Sequence, residues 1–209
     1  MGTLVQTSAP ETEPVSLTEA KTHARAPLDV TAEDNWFLAT ITAARQKCED
    51  LTGLAMITQE WKLLLDCWDD PDYSDAGPRL SAQAAVFPFE RVINLWLARF
   101  PIQTVESVKY KAASDGALTT LSASQYTLGI DSGRLAAAYG QIWPVPRAEI
   151  EAIEIAFTAG YGDDAVPELA KQAILLTVAH WWEHRGDETT DDLPMAAKSL
   201  LRGLWTGAC

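Results

Sequence analysis

A change of hydrophobic period constrains this chain more than any other feature. Between Thr31 and Thr52 the apolar residues Phe37, Ile41, Ala44, Cys48 and Leu51 recur at steps of three and four, which places them on one face of an α-helix. From Ile57 the step becomes two. In TQEWKLLLDCW the residues Trp61, Leu63, Leu65 and Cys67 fall on one side of an extended backbone, so the stretch predicts a strand with one buried face. Strand and turn signals then run for about a hundred residues. The helical period returns in PELAKQAILLTVAHWWEHRGD.

The pattern predicts a mixed α+β chain: a helical bundle of two N-terminal and two C-terminal helices, residues 15–55 and 164–209, with a small antiparallel β domain, residues 56–163, inserted between them. Residues 1–14 hold Thr, Ser, Pro and Glu and read as a flexible arm. Ser16 and Glu19 have capping-box spacing, so a short helix is expected from Leu17 to Ala26, closed by Pro27. The helix from Thr31 has Glu33 and Asp34 in its first turn and Gly53 as its C-terminal cap. Within the β segment, Asp69 to Pro88 reads as a long loop. VINLWL and PIQTVESVKYKA read as strands, the second with some irregularity. Asp115-Gly116 and Ser132-Gly133 mark turns, WPVPRAE a Pro-bearing loop, and IEAIEIAFTAGY the last strand, with Ile153, Ile155 and Phe157 on one face. The third helix is apolar almost all round between Ala173 and Trp182, which predicts neighbours on more than one side.

Composition limits the partners. The 209 residues are enough for one core with an inserted lobe and too few for two full-sized domains. No apolar run is long enough to span a membrane, and the first residues lack the basic start and apolar stretch of a signal peptide. The expectation is a soluble protein that stays where it is made. Cys48, Cys67 and Cys209 have no metal-binding or paired spacing, which points to reduced thiols. With 16 Lys and Arg against 29 Asp and Glu the formal net charge is -13. Proteins that grip nucleic acid need clustered cations to neutralise phosphates, and no such cluster is present.

Two short motifs suggest chemistry. In TAGYGDDAVPE, Gly160, Gly162 and Ala165 nearly spell a dinucleotide-binding fingerprint. That reading needs a strand after the helix. None is expected here, and Asp163 and Asp164 would set carboxylates where phosphates must lie. The glycines are better read as a sharp exit from the last strand, a joint between lobes. HWWEH has His180 and His184 one helical turn apart with Glu183 beside them, the arrangement of a zinc hydrolase. A third ligand on another element would have to come from the many acidic residues upstream, because downstream acids are confined to a loop, Asp187, Glu188, Asp191 and Asp192, and no later His follows. The plain reading is a packed pair, Trp181 and Trp182, at a helix end.

Taken in order, EPVSLTEAKTHARA, a long helix ending in LTGLAMITQEWKLLLD, and FTAGYGDDAVPELAKQAILLTVAHWWEHR resemble the head-tail connector (adaptor) proteins of tailed phages, a family also found in phage-derived gene transfer agents. The likeness extends from Pro14 to about Trp205, apart from the Asp69–Pro88 loop and the long N-terminal arm. It implies a structural protein with no catalytic residues, cofactor or metal. The implied partners are a homo-oligomeric ring, dodecameric on the portal, the portal protein itself, and a tail-side neck or stopper protein. DNA is expected to pass through the channel without specific binding, and no membrane is involved. The implied location is the neck of a virion or phage-like particle, after synthesis in a bacterial cytoplasm. The expected docking residues are Leu200, Leu204 and Trp205 on the last helix, with Trp181. An equal reading of the same apolar stripe is closure of the bundle. The alternative function is a zinc-dependent hydrolase using His180, Glu183 and His184.

Overall fold

A computed structural model describes residues 2–68, 94–130, 132–162, 165–185 and 193–204. The expected Asp69–Pro88 loop, Asp163, Asp164, the acids from Asp187 to Asp192, Trp205 and Cys209 lie outside the described residues. Among those described, the chain is mixed α and β, with four α-helices and two antiparallel sheets. It divides into two compact units: residues 10–58 with 160–209, and residues 1–9 with 59–159.

The first unit is helical. Helix α1 (Leu17–His23) begins with the expected capping box: the Ser16 hydroxyl accepts from the Glu19 amide and the Glu19 carboxylate accepts from the Ser16 amide. The Ser16 hydroxyl also donates to the Glu19 carboxylate at 2.7 Å, and that bond, followed by the one from the Ser16 amide, holds the Glu19 carboxyl below its ordinary range. Helix α2 (Asp34–Thr52) ends on Gly53, left-handed at φ 71°, whose amide bonds Glu49. Its buried face is Phe37, Ile41, Ala44 and Cys48, as the period predicts, but Leu51 is exposed and Thr52 takes the next inward position. Burial pushes the Cys48 thiol up to about 12, with Glu49 adding to the shift, so it is an inert core residue.

Helix α3 (Glu168–Glu183) touches α1, α2 and α4 (Met195–Arg202). That is why its apolar residues run round more than one side. Ala170, Ala173, Ile174 and Val178 join Phe37, Ile41, Ala197 and Leu201 in one core. The inward faces also carry charge. Arg45, 2% exposed, bonds Glu49, 4% exposed, at 2.6 Å and Glu13 at 2.8 Å. Glu49 also accepts the Met56 amide at 2.8 Å. Lys21 is buried against Asp34 and donates to the Val30 carbonyl at 2.8 Å.

The second unit is built of strands. A five-stranded sheet has the order β1-β2-β8-β4-β5: β1 (Thr3–Ser8), β2 (Gln59–Leu65), β4 (Ile102–Lys111), β5 (Leu118–Thr120) and β8 (Ile153–Ala159). Beside it in the same unit is a three-stranded sheet, β3 (Asn94–Trp96), β7 (Arg134–Ala137) and β6 (Tyr126–Gly129). In β2 and β8 alternate residues are buried, and the register sets Trp61 opposite Phe157, Leu63 opposite Ile155 and Leu65 opposite Ile153. Such directly opposed pairs are the stabilising unit of a sheet. On the opposite face Glu154 lies between Lys62 and Lys109, at 3.2 and 3.6 Å. The irregularity expected in β4 is two register shifts against β8.

Three expectations are corrected. Residues 1–14 are not a loose arm: Thr3–Ser8 pairs antiparallel with β2, and Glu13 is fixed by Arg45 and by the Thr42 hydroxyl. The composition is polar, but β1 needs little burial of its own because an existing strand edge supplies its hydrogen bonds. The first helix stops at His23 rather than Ala26, because the chain turns left-handed at Arg25 before Pro27 can end it. Cys67 lies beyond the end of β2 and is half-buried, so it is not part of the alternating face.

Candidate functional site

The C-terminal end of α3 and the helix after it carry nearly all the residues singled out by the sequence. Trp182 is half-buried, its ring centroid 4.7 Å from that of Phe37 and 5.3 Å from that of Trp36. The Arg185 guanidinium lies 3.8 Å over the Trp182 ring and 4.6 Å over Trp36, and it bonds both carboxylate oxygens of Glu33 at 3.3 and 3.4 Å. A cation on two aromatic faces with a bidentate carboxylate partner fixes orientation. This end of α3 is thereby clamped to the start of α2.

Trp181 is half-buried and packs on the helical core. Leu200 and Leu204 do the same, while Leu201 is the deeper residue of α4. Leu193, Ala197 and Leu201 point inward, leaving Leu200 and Leu204 half-buried with one side toward solvent.

The HWWEH residues do not converge. The His180 and His184 rings are 4.5 Å apart, yet His184 Nδ1 sits 2.9 Å from the His180 carbonyl and Glu183 is exposed. Among the described residues no three His, Cys, Asp or Glu side chains form a group that could hold a metal. The glycine motif has a structural explanation. Gly160 has φ 131°, and a Cβ there would lie 2.2 Å from the Ile57 carbonyl oxygen. Only a residue without a side chain permits that approach. Gly162 has open space around it, and among the described residues the elements that follow are α3 and α4, with no strand.

No protein-family model and no curated protein matches the chain. Solved structures do. The chain resembles components of a gene transfer agent particle. A chain in the neck of the empty particle, computed with C6 symmetry, matches with a TM-score of 0.72 and 25% identity, covering 97% of this chain and 94% of that one. A chain in the virion of the native particle matches at 0.70 and 24% identity, and one in the native neck computed with C12 symmetry at 0.70 and 22%, each with the same coverage of 97% and 94%. These matches run through both units, so the order of helical and β segments is shared from end to end.

One feature escaped the sequence reading. Tyr139, Ile142, Val145 and Ile150 are all strongly exposed within the Pro-bearing loop between β7 and β8. The available signal was bulky apolar residues alternating with Gly and Pro, where loops are usually polar.

Proposed function

We propose that this chain is a structural head-tail connector of a tailed phage or phage-like gene transfer agent, and that it forms a ring in the neck between portal and tail. The observation that carries the proposal is the full-length likeness to a neck chain of a gene transfer agent, 97% of this chain against 94% of that one. In this reading the helical unit is a bundle and the β unit its insertion. The ring is dodecameric on the portal, in keeping with the C12 symmetry of one neck structure. Its role is mechanical, without catalysis, metal or cofactor, and it is made in the bacterial cytoplasm before joining the particle.

Charge suits a channel wall. A subunit with a formal net charge of -13 repels phosphate backbones, so DNA slides past without specific binding. Each subunit of a ring needs a face on either flank, and the angle between them closes the circle. Leu200, Leu204 and Trp181 expose one side beyond what the helical core covers, and with Trp205 they are the proposed docking residues toward the portal. A tail-side neck or stopper protein takes the opposite end. Among the described residues no helix is long and apolar enough to cross a membrane.

The test is the mass of the purified chain by light scattering, alone and with its cognate portal protein. The proposal expects a ring assembled on the portal, and a portal that leaves the mass unchanged contradicts it. Stoichiometric zinc by elemental analysis would instead revive the hydrolase alternative.

A further inference from the structure

We infer that the segment from Tyr139 to Ile150 is the surface through which one copy of this chain grips the next. The inference deepens the connector reading and rests on it for the choice of occupant. Large apolar side chains on a monomer's surface normally occur singly. Here four lie within one short segment: Tyr139 is fully exposed at 105%, Ile142 is 75% exposed, and Val145 and Ile150 are 77% exposed.

Their exposure does not come from a loose loop. Residues 138–141 form a turn closed by the Gln141 amide on the Ala138 carbonyl at 2.8 Å, with Gly140 left-handed at φ 74°. Tyr139 stands at its tip. Trp143 stacks on Trp68 with ring centroids 4.3 Å apart, and the Trp68 indole donates to the Pro144 carbonyl at 2.7 Å. The Arg147 amide bonds the Lys111 carbonyl at 2.9 Å, Pro146 bridges Ala112, and the Glu151 amide bonds Asp66. A backbone held in this way has little conformational entropy left to lose on contact, which favours association through the side chains it displays.

Charge selects the occupant. Two copies of a chain with a net charge of -13 repel wherever acidic surfaces meet. Within residues 139–150 the charged residues are Arg147 and Glu149, which pair with each other at 3.3 Å. Lys111 adds a second cation to Glu149. Residues 139–146 therefore form an apolar stretch without any charged side chain on an acidic molecule, and like-charged copies can approach there with no carboxylate of that stretch opposing its copy.

The test is sedimentation of the full chain over a range of concentrations, comparing wild type with the double variant Ile142→Ser, Val145→Ser, and with Met195→Ser, an equally exposed apolar residue (78%) of the helical unit. Serine leaves the charge unchanged, and far-ultraviolet circular dichroism checks the fold. The expected result is reversible self-association weakened at least about tenfold in the double variant, the effect of losing one good apolar anchor, and unchanged in Met195→Ser. Wild type that stays monomeric to about 1 mM, the weak limit of specific binding, overturns the inference, as does a double variant that associates like wild type. Monomeric protein that still enters particle necks overturns this surface and leaves the connector reading standing. Association through the segment by a chain absent from necks does the reverse.

Discussion

The helical unit and the β unit treat charged and apolar side chains in opposite ways. Helices α1 and α2 bury Lys21, Arg45 and Glu49 in paired contacts, and the unit's exposed apolar residues, Leu28, Val30, Leu38, Leu51, Leu169 and Met195, are spread over the loop between α1 and α2 and over helices α2, α3 and α4. In the β unit the ion pairs Lys62–Glu154 and Lys109–Glu154 are only partly buried, on the face opposite the buried side chains, and apolar side chains gather on one anchored segment. The difference teaches where each unit keeps its specificity. A buried, paired charge penalises every alternative packing that would leave it unpaired, so the helical unit is specified from within. An exposed apolar segment does nothing for its own fold and is available for association.

The largest expected effect breaks the comparison if it is missing. Arg45→Met removes the cation facing Glu49 in the core and should cost about 3–5 kcal/mol, whereas Lys62→Met on the sheet should cost less than about 1 kcal/mol. Denaturant unfolding of both variants measures the gap, and equal losses would erase the distinction between the units. Next comes the Gly160 joint. Gly160→Ala forces a Cβ into the Ile57 carbonyl and should cost about 2–3 kcal/mol, while Gly162→Ala, in open space, should stay within about 0.5 kcal/mol. A phosphate cradle would predict instead that both substitutions abolish nucleotide binding, which calorimetry with a dinucleotide reads directly.

Ser16→Ala should cost about 1 kcal/mol at neutral pH. Glu19 is held below its ordinary value by the Ser16 side chain and then its backbone. A depressed carboxyl stabilises the fold above the unfolded-state value, and the stabilisation is lost as pH falls through the folded value. The gap between wild type and Ser16→Ala should therefore narrow in acid, and a gap that widens would contradict the cap. The smallest effect is expected from His184→Ala, within about 0.5 kcal/mol at this exposed helix end. Added zinc should leave the melting midpoint of wild type and variant alike. A zinc-dependent midpoint lost in His180→Ala would restore the hydrolase reading.

Much of this was legible in the residues, because period and capping are local. The stripe of α2, the box at Ser16, the alternation of β2 and β8 and the turn at Gly133 all follow from spacing alone. Strand β1 was not legible, since TLVQTS has no apolar face of its own and its pairing partner lies more than fifty residues away. Leu51 was misplaced by one helical position, because a three- or four-residue step leaves that choice to the packing partner. The exposed segment was illegible for a different reason: a sequence shows that Tyr139, Ile142 and Val145 are apolar but not that they stand in solvent while Trp143 stacks on Trp68. His180 and Glu183 looked catalytic because a motif fixes spacing and not the presence of a third ligand.

The connector proposal stands on the position of the chain in a particle neck. The most direct measurement is electron cryomicroscopy of particles from the source cell carrying a tagged copy of the chain, with symmetry averaging of the neck. The connector proposal predicts tag density repeated around the axis between portal and tail. Tagged chain found only free of particles, with an unlabelled neck, would contradict it.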